Sequence, residues 1–199
     1  MNQNKSSYNK IANQWAENRD VSALSKLVVD FASKIKTNGT VLDIGCGSGF
    51  PITSFLSEKG FSVTGIEIAE NMLQKAVERK IPNANLYLCD FFDFEPTEKY
   101  DGIIAFDSFF HFPADWQREI YSRVAQWINP GGYLLFTHGN KEGEKQGEMY
   151  GQSFYYSCLD TREVHELLNK NGFEVVLSLE NYSEQDIDRD LVVLARKIE

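Results

Sequence analysis

The sequence predicts a single doubly wound α/β domain with a mostly parallel seven-stranded sheet, a C-terminal antiparallel hairpin strand and helices on both faces. Short apolar runs alternate with segments of helical periodicity from residue 41 to residue 137, which is typical of a parallel sheet covered by helices. The last two apolar runs, 173–179 and 190–195, leave no room for a helix between them. We therefore expect these two to pair antiparallel, because parallel strands need a long crossover connection.

The strands are predicted from short runs of apolar residues that end at glycine or polar residues. The first is Val41–Ile44, and Gly45 ends it. Four more precede the C-terminal pair: Phe61–Ile66, Leu86–Cys89, Asp101–Phe106 and Tyr133–Thr137. In an open sheet of this kind, ligands bind at the carboxyl ends of the strands, near the point where the strand order reverses.

The helices are predicted from apolar spacing and from signals at their ends. Met72, Leu73 and Ala76 recur at helical spacing within the predicted helix Ala69–Lys80. Residues 160–163, Asp-Thr-Arg-Glu, have the capping-box pattern and open a helix that runs through Lys170. The other predicted helices are Ile52–Lys59, Trp116–Ile128, which Asn129-Pro130-Gly131-Gly132 ends, and two helices within residues 6–36.

Composition argues against several classes of protein. The formal net charge is -9, and basic residues are adjacent at only two places, so we expect no nucleic-acid partner. The three cysteines are far apart and lack CxxC spacing, which predicts neither a disulfide framework nor a zinc site. No stretch resembles a secretory signal or an apolar membrane span of about 20 residues. We expect a cytoplasmic protein, a monomer or homodimer, with no membrane partner and no metal.

A glycine-rich turn follows the first predicted strand, with glycines at 45, 47 and 49. Such a turn lets the backbone approach a ligand closely, and the next helix offers free N–H groups to a pyrophosphate or a carboxylate. The dinucleotide fingerprint GxGxxG would need glycine where Phe50 stands, which disfavours NAD and FAD. Asp43, at the end of the strand, suits a ligand that carries an ammonium group.

An acidic residue, Glu67, follows the second predicted strand. A carboxylate at that strand end can accept two hydrogen bonds from a ribose diol. The alternative is a surface glutamate that caps the helix starting near Ala69. The glycine turn beside it favours the ribose interpretation.

These segments together resemble the motifs of class I S-adenosylmethionine-dependent methyltransferases. Asp43–Gly49 matches the E/DxGxGxG pattern of motif I, and Glu67 matches the acidic residue after the second strand. Cys89–Phe91, Tyr100–Ser108 and Ile128–Gly132 resemble three further motifs in the same order. The resemblance covers most of the chain, and it implies a Rossmann-like fold, S-adenosylmethionine as cofactor and methyl transfer as the reaction.

The resemblance also implies where the methionine and ribose parts of the cofactor would lie. Gly45, Cys46 and Gly47 would line the methionine part, and the backbone at Phe106 would face its ammonium group. Glu67 would bind the ribose hydroxyls. Nothing in the setting of Cys46 indicates a reactive thiolate.

The same resemblance places the adenine beside the second and third strands. Ile68 would pack on the ring, Asp90 would accept a hydrogen bond from the adenine amino group, and Phe91 would lie beside it. Plain core packing is the alternative for Ile68 and Phe91.

Two histidines are candidate catalytic residues, because each follows a predicted strand: His111 the fourth and His138 the fifth. The chief needs of methyl transfer are alignment and exclusion of water, and a base is needed only if the acceptor must lose a proton. Histidine titrates near neutrality and can take that proton. The alternative for His111 is a structural role between aromatic side chains.

Two segments are candidates to cover the site. Residues 1–37 are predicted to form a helical cap, in which Tyr8 and Trp15 lie at helical spacing and contact the cofactor, or else only pack on the sheet. Residues 139–157 contain four glycines among charges and tyrosines. That segment predicts a mobile substrate lid, with an acidic surface loop as the alternative.

Three functions are compatible with these features. Methylation of a small molecule at oxygen, nitrogen or carbon is favoured, because no added domain is present to hold a large substrate. A protein methyltransferase is an alternative, since the acidic surface would attract a basic partner. A non-catalytic cofactor-binding module is the third. Fold alone does not choose among substrates.

Overall fold

The computed structural model describes residues 2–19, 24–185 and 187–198. Residues 20–23 of the predicted cap therefore lie outside the described residues. The strands within these ranges are β1 (Thr40–Ile44), β2 (Ser62–Glu67), β3 (Ala84–Leu88), β4 (Tyr100–Ala105), β5 (Ile128–His138), β6 (Gly143–Met149), β7 (Gln152–Cys158), β8 (Phe173–Glu184) and β9 (Ile187–Lys197). The helices are α1 (Asn2–Arg19), α2 (Lys26–Lys34), α3 (Ile52–Glu58), α4 (Glu70–Glu78), α5 (Ala114–Trp127) and α6 (Thr161–Lys170).

Seven strands form the central sheet in the order β3-β2-β1-β4-β5-β9-β8, and the order reverses between β1 and β4. β9 pairs antiparallel with β5 and β8, and the other pairs are parallel. The predicted doubly wound sheet and its C-terminal antiparallel hairpin are confirmed. Because β9 runs against the parallel strands, its N-terminal end lies at their carboxyl edge.

Alternate residues of the central strands face opposite sides of the sheet, as strand geometry requires. On one side Val41 and Ile104 pack against Phe31 of α2 and Leu56 of α3. On the other side Leu42, Ile103 and Phe136 pack against Val124 of α5 and Leu168 of α6. The N-cap half of the predicted capping box is present, since the Asp160 side chain accepts a hydrogen bond from the Glu163 N–H, whereas the Glu163 carboxylate accepts from Arg118. None of the helices in the described ranges is long and apolar enough to cross a membrane.

The junction of α5 and β5 differs from the prediction. The sequence predicts a strand from Tyr133, whereas β5 begins at Ile128. Tyr100 pairs with Ile128 and Gly102 with Tyr133, so residues 129–132 bulge out of the ladder. The Asn129 side chain ties the bulge to Asp101 through a hydrogen bond of 2.9 Å. Local sequence reasoning missed this pairing, because proline and glycine within a strand are compatible with a bulge only when a partner strand holds it.

The sequence predicts a mobile lid over residues 139–157, with an acidic surface loop as the alternative, whereas most of the segment forms a regular β-hairpin. β6 and β7 pair along their whole length, from Gly143 with Cys158 to Met149 with Gln152. Tyr150 and Gly151 have φ values of 51° and 71° at the turn, the left-handed conformation that two-residue hairpin turns favour. The hairpin packs under α1, where Phe154 is fully buried and the Ser7 hydroxyl donates to the Ser153 carbonyl at 2.7 Å.

Candidate active site

A cavity opens at the carboxyl ends of the parallel strands, beside the reversal between β1 and β4. It is lined by the segments that follow β1, β2 and β4, by α1 and the start of α2, and by the turn between β8 and β9. Its walls contain most of the site residues predicted from the sequence: Tyr8, Trp15, Asp43, Gly45, Cys46, Gly47, Glu67, Ile68, Phe91, Phe106 and His111. Asp90 and His138 are not among them.

The glycine turn after β1 forms a cradle, residues 45–47, in the wall of the cavity. Gly45 and Gly47 have φ values of 77° and 56°, which favour glycine. A Cβ on Gly45 would lie 2.8 Å from the Cβ of Ser108, and one on Gly47 would lie 3.3 Å from the Cε of Met72. Glycine at these positions is therefore favoured by the backbone conformation and by the close packing of Ser108 and Met72.

Cys46 lies in the same turn, and its N–H donates to the Ile66 carbonyl at 3.1 Å. Burial raises the pKa of its thiol, and the charges of Asp43 and Glu67 raise it further. The thiol therefore stays protonated, which argues against a nucleophilic role.

Glu67 is 8% exposed at the end of β2, which argues against the surface alternative. Its carboxylate accepts hydrogen bonds from the N–H groups of Gly47, at 3.0 Å, and Ala69, at 2.7 Å. Ala69 is the N-cap residue of α4, so Glu67 also ties the start of that helix to the glycine turn. Burial raises the pKa of the carboxyl, although these backbone donors oppose the rise.

Asp43 is 3% exposed and accepts a hydrogen bond of 2.6 Å from the Thr53 hydroxyl. Burial is the main cause that raises the pKa of this carboxyl to about 7, and the charge of Glu67 adds to it. A buried carboxylate facing a cavity is costly without a cation. An ammonium group bound beside Asp43 would favour its ionised form.

The predicted adenine side is formed only in part. Ile68 and Phe91 line the cavity, although Phe91 also packs on Trp127, with the ring centroids 5.0 Å apart. The role predicted for Asp90 stays a prediction. One oxygen of its side chain, Oδ1, accepts from the Phe92 N–H at 3.0 Å and caps the short 3-10 helix Phe91–Asp93, and Asp90 is not among the residues that line the cavity.

His111 lies on a second 3-10 helix, Phe109–His111, after β4. Its Nε2 lies 2.9 Å from the Tyr8 hydroxyl, and its Nδ1 lies 2.9 Å from Asn4 Nδ2 and 3.1 Å from the Tyr155 carbonyl. Burial lowers the pKa of the imidazole to about 4, so the ring is neutral at neutral pH. The structure therefore joins the predicted cap residue Tyr8 and the predicted catalytic residue His111 in one hydrogen bond at the cavity wall.

Asn4 of α1 joins the hairpin of β6 and β7 to Tyr8 and His111. The Asn4 amide donates to the Tyr155 carbonyl and accepts from the Tyr155 N–H, both at 2.8 Å. The segment predicted as a lid thus supports α1 and His111 from behind, and its tyrosines do not line the cavity.

The catalytic role predicted for His138 is not supported by its position. The side chain is 2% exposed, behind the cavity wall, and its ring nitrogens lie 2.8 Å from the Gly139 carbonyl and 2.7 Å from Gln117 Oε1. Burial lowers the pKa of this imidazole to about 4. His138 is the last residue of β5, where Gln117 of α5 contacts it.

Sequence reasoning missed Arg189, which reaches the cavity from the start of β9. Its Nε and Nη2 donate to the two carboxylate oxygens of Asp107, both at 2.9 Å. The guanidinium carbon lies 4.4 Å from the centroid of the Phe106 ring. One signal was available. A strand that runs antiparallel beside β5 begins at the carboxyl edge of the sheet, so a basic residue near its start lies at that edge.

Comparison with known proteins assigns the family. A family model described as "Methyltransferase domain" matches residues 15–178. The chain belongs to this family. The methyltransferase domain therefore confirms the resemblance to class I S-adenosylmethionine-dependent methyltransferases, and S-adenosylmethionine is confirmed with it as the cofactor.

Two relatives of this chain carry names that state an activity. A ubiquinone biosynthesis O-methyltransferase of Hydrogenovibrio crunogenus is 31% identical over 148 residues, which cover 67% of this chain and 59% of that protein. Phosphoethanolamine N-methyltransferase 2 of Caenorhabditis elegans is 30% identical over 147 residues, which cover 69% of this chain and 33% of that protein. The matched region thus spans only part of these relatives.

A solved structure supports the fold. The methyltransferase domain aligns with 1,6-didemethyltoxoflavin-N1-methyltransferase of Burkholderia thailandensis, crystallised with 1,6-didemethyltoxoflavin and S-adenosylhomocysteine, with a TM-score of 0.77. The identity is 19%, and the match covers 98% of this chain and 87% of that one. At that identity the likeness concerns the fold.

Proposed function

We propose that this domain transfers a methyl group from S-adenosylmethionine to a nucleophilic atom of a small molecule. The observation that carries the proposal is the shape of one cavity, which joins the glycine cradle and Glu67 on the β1–β2 side to Tyr8 and His111 under α1. α1 and the turn between β8 and β9 cover this cavity, which suits a small acceptor. The relatives that methylate small molecules, by their names, support the same class.

The chain's own residues bind and orient the two reactants. Glu67 accepts the ribose hydroxyls, and Asp43 faces the ammonium group. When bound, S-adenosylmethionine supplies a methyl group on a sulfonium: the acceptor's lone pair forms the new bond to the methyl carbon, the carbon–sulfur bond breaks, and its electron pair stays on sulfur. Catalysis then rests on alignment and on the exclusion of water.

Tyr8 and His111 serve mainly to position the acceptor. A pKa of about 4 makes His111 a weak base, and efficient proton transfer favours a base whose pKa lies near the working pH. The hydrogen bond to His111 Nε2 instead holds the Tyr8 hydroxyl at the cavity wall. A proton released by an acceptor can leave along the same hydrogen bond.

We infer a cytoplasmic location from three cysteines that are free within the described residues.

Calorimetry tests the choice of cofactor. S-adenosylmethionine and S-adenosylhomocysteine are expected to bind, because both carry the ribose that Glu67 accepts and the amino-acid part that fits the glycine cradle. NAD is expected to give no heat, since Phe50 stands where the dinucleotide fingerprint has glycine. Tight binding of NAD without a response to S-adenosylhomocysteine would overturn the proposal.

Removal of the Tyr8 hydroxyl tests the positioning role. Tyr8→Phe keeps the ring that packs edge-to-face on Trp15, at a centroid distance of 5.8 Å. We expect kcat to fall by about tenfold, the effect of one or two kcal/mol in a lost hydrogen bond, and the affinity for S-adenosylhomocysteine to stay nearly unchanged. Tyr155→Phe is the matched control, because the backbone and not the hydroxyl of Tyr155 contacts this network. Equal turnover in the two variants would show that the Tyr8 hydroxyl has no role.

A further inference from the structure

The cavity wall contains both carboxylates and cationic side chains. Among the described residues, the carboxylates of the wall are Asp43, which accepts from Thr53; Glu67, which accepts from Gly47 and Ala69; Asp107, which accepts from Arg189; and Glu184, which accepts from Ser25 and Lys26. Each of these carboxylates therefore accepts at least one hydrogen bond from within the protein.

Arg189 differs from these carboxylates, because only one edge of its guanidinium contacts Asp107. Nε and Nη2 bind Asp107, whereas Nη1 has no hydrogen-bond acceptor among the residues that the structure describes. The residue is only 8% exposed. Because Arg189 lines the cavity, this N–H edge is available to a ligand that enters it.

Lys5 adds a second positive charge to the same wall. It lies three residues before Tyr8 on α1, which places the two on one face of the helix. Within the described parts of the chain its ammonium group forms no ion pair. A cationic acceptor would meet both Lys5 and Arg189, and a like charge next to it would oppose binding.

The position of Arg189 assigns it to the acceptor side of the cavity. Its guanidinium covers the Phe106 ring at the end of β4, while the glycine cradle and Glu67 follow β1 and β2, on the other side of the reversal. Arginine also binds oxyanions through directed N–H groups better than lysine does.

We infer that the methyl acceptor carries an oxyanion, a carboxylate or a phosphate, and that Arg189 Nη1 binds this group while Lys5 adds attraction. The inference rests on the proposed function and deepens it. Asp107 fixes the guanidinium through two parallel hydrogen bonds, so that only the Nη1 edge remains for the ligand. The acceptor is thereby oriented from its anionic end, and its nucleophilic atom lies elsewhere in the molecule.

The first experiment uses inorganic phosphate and acetate as probes of the protein saturated with S-adenosylhomocysteine. Each anion is added at millimolar concentration, and Tm is recorded against sodium chloride at equal ionic strength. A specific anion is expected to raise Tm, because a ligand that binds only the folded state stabilises it. A larger rise with phosphate points to a phosphate monoester as acceptor, and a larger rise with acetate points to a carboxylate.

Variants decide whether Arg189 causes the rise. Arg189→Gln is expected to abolish it, Lys5→Gln to reduce it, and Arg123→Gln, on α5 outside the cavity wall, to leave it unchanged. Because Arg189→Gln removes the cation that pairs with Asp107, the double variant Asp107→Asn/Arg189→Gln provides a second test in a neutral pair. Absence of a rise in the wild type, or an equal rise in the Arg189 variants, overturns the inference.

The affinity for S-adenosylhomocysteine separates this inference from the proposed function. In Arg189→Gln it is expected to stay within about threefold of the wild type, since less than 1 kcal/mol of cofactor binding is at stake. A larger loss would assign Arg189 to the cofactor and would overturn the inference alone. Absence of cofactor binding in the wild type would overturn the proposed function itself.

Discussion

Glu67→Ala is expected to weaken the binding of S-adenosylhomocysteine by at least about tenfold, because it removes two hydrogen bonds to a charged acceptor that contribute roughly 1.5–3 kcal/mol each before relaxation. The carboxylate is buried at the cavity wall, so water replaces these hydrogen bonds poorly. Titration calorimetry measures the effect. Glu67→Gln keeps the side-chain shape and one acceptor oxygen. We expect its affinity for S-adenosylhomocysteine to lie between those of the wild type and the alanine variant.

Asp90→Asn is the matched control for Glu67. Both acidic residues follow a strand and both match a family motif, but the Asp90 side chain caps a 3-10 helix and does not line the cavity. We expect the affinity of Asp90→Asn to change by less than about threefold. Because Glu67 also accepts from Gly47 and Ala69, urea unfolding has to show that Glu67→Ala is folded. A folded alanine variant with wild-type affinity would exclude the ribose role.

Asp43→Asn is expected to stabilise the free protein at alkaline pH and to have little effect at acid pH. Burial raises the pKa of Asp43 to about 7 in the folded protein, against an ordinary value of 3.8 for this carboxyl group in the unfolded chain. Between these two values the folded state holds a proton that the unfolded state releases. The free energy of unfolding of the wild type therefore falls as pH rises through this window, and the asparagine variant lacks this loss.

The difference between the asparagine variant and the wild type reaches at most roughly 4 kcal/mol above pH 7, because each pKa unit corresponds to about 1.4 kcal/mol. Urea unfolding at about pH 5 and about pH 8 measures it. Asp93→Asn is the control, since Asp93 is exposed. A difference between Asp43→Asn and the wild type that does not grow with pH would show that burial does not raise this pKa. The same variant should bind S-adenosylhomocysteine less tightly, because the ionised carboxylate is lost.

The local parts of the site were predictable because short-range geometry determines them. Glycines at 45 and 47 adopt the positive φ values that a tight turn after β1 requires, and Glu67 is the last residue of β2. Each of these residues is positioned by the strand that precedes it. Parallel pairing of β1 with β2 then brings them together, without help from distant segments.

The two histidines show where prediction from the sequence reaches its limit. Each follows a parallel strand, yet only His111 lines the cavity. Gln117 of α5 contacts His138 and donates to the carbonyls of Phe112 and Ser157, which buries that histidine behind the wall. The packing of α5 against β7, far apart in the sequence, decides between them.

The sequence by itself determined the fold class, the family, the cofactor and the glycine cradle with Glu67, because these follow from local periodicity and from motifs that each lie within one strand and its turn. Tertiary structure alone decided which polar groups face the acceptor. Tyr8, His111 and Arg189 come from α1, the segment after β4 and the start of β9, and they meet only because helix packing and an antiparallel strand bring them to one edge of the sheet. Such contacts depend on burial and on partners more than 80 residues away in the chain, which no local pattern encodes.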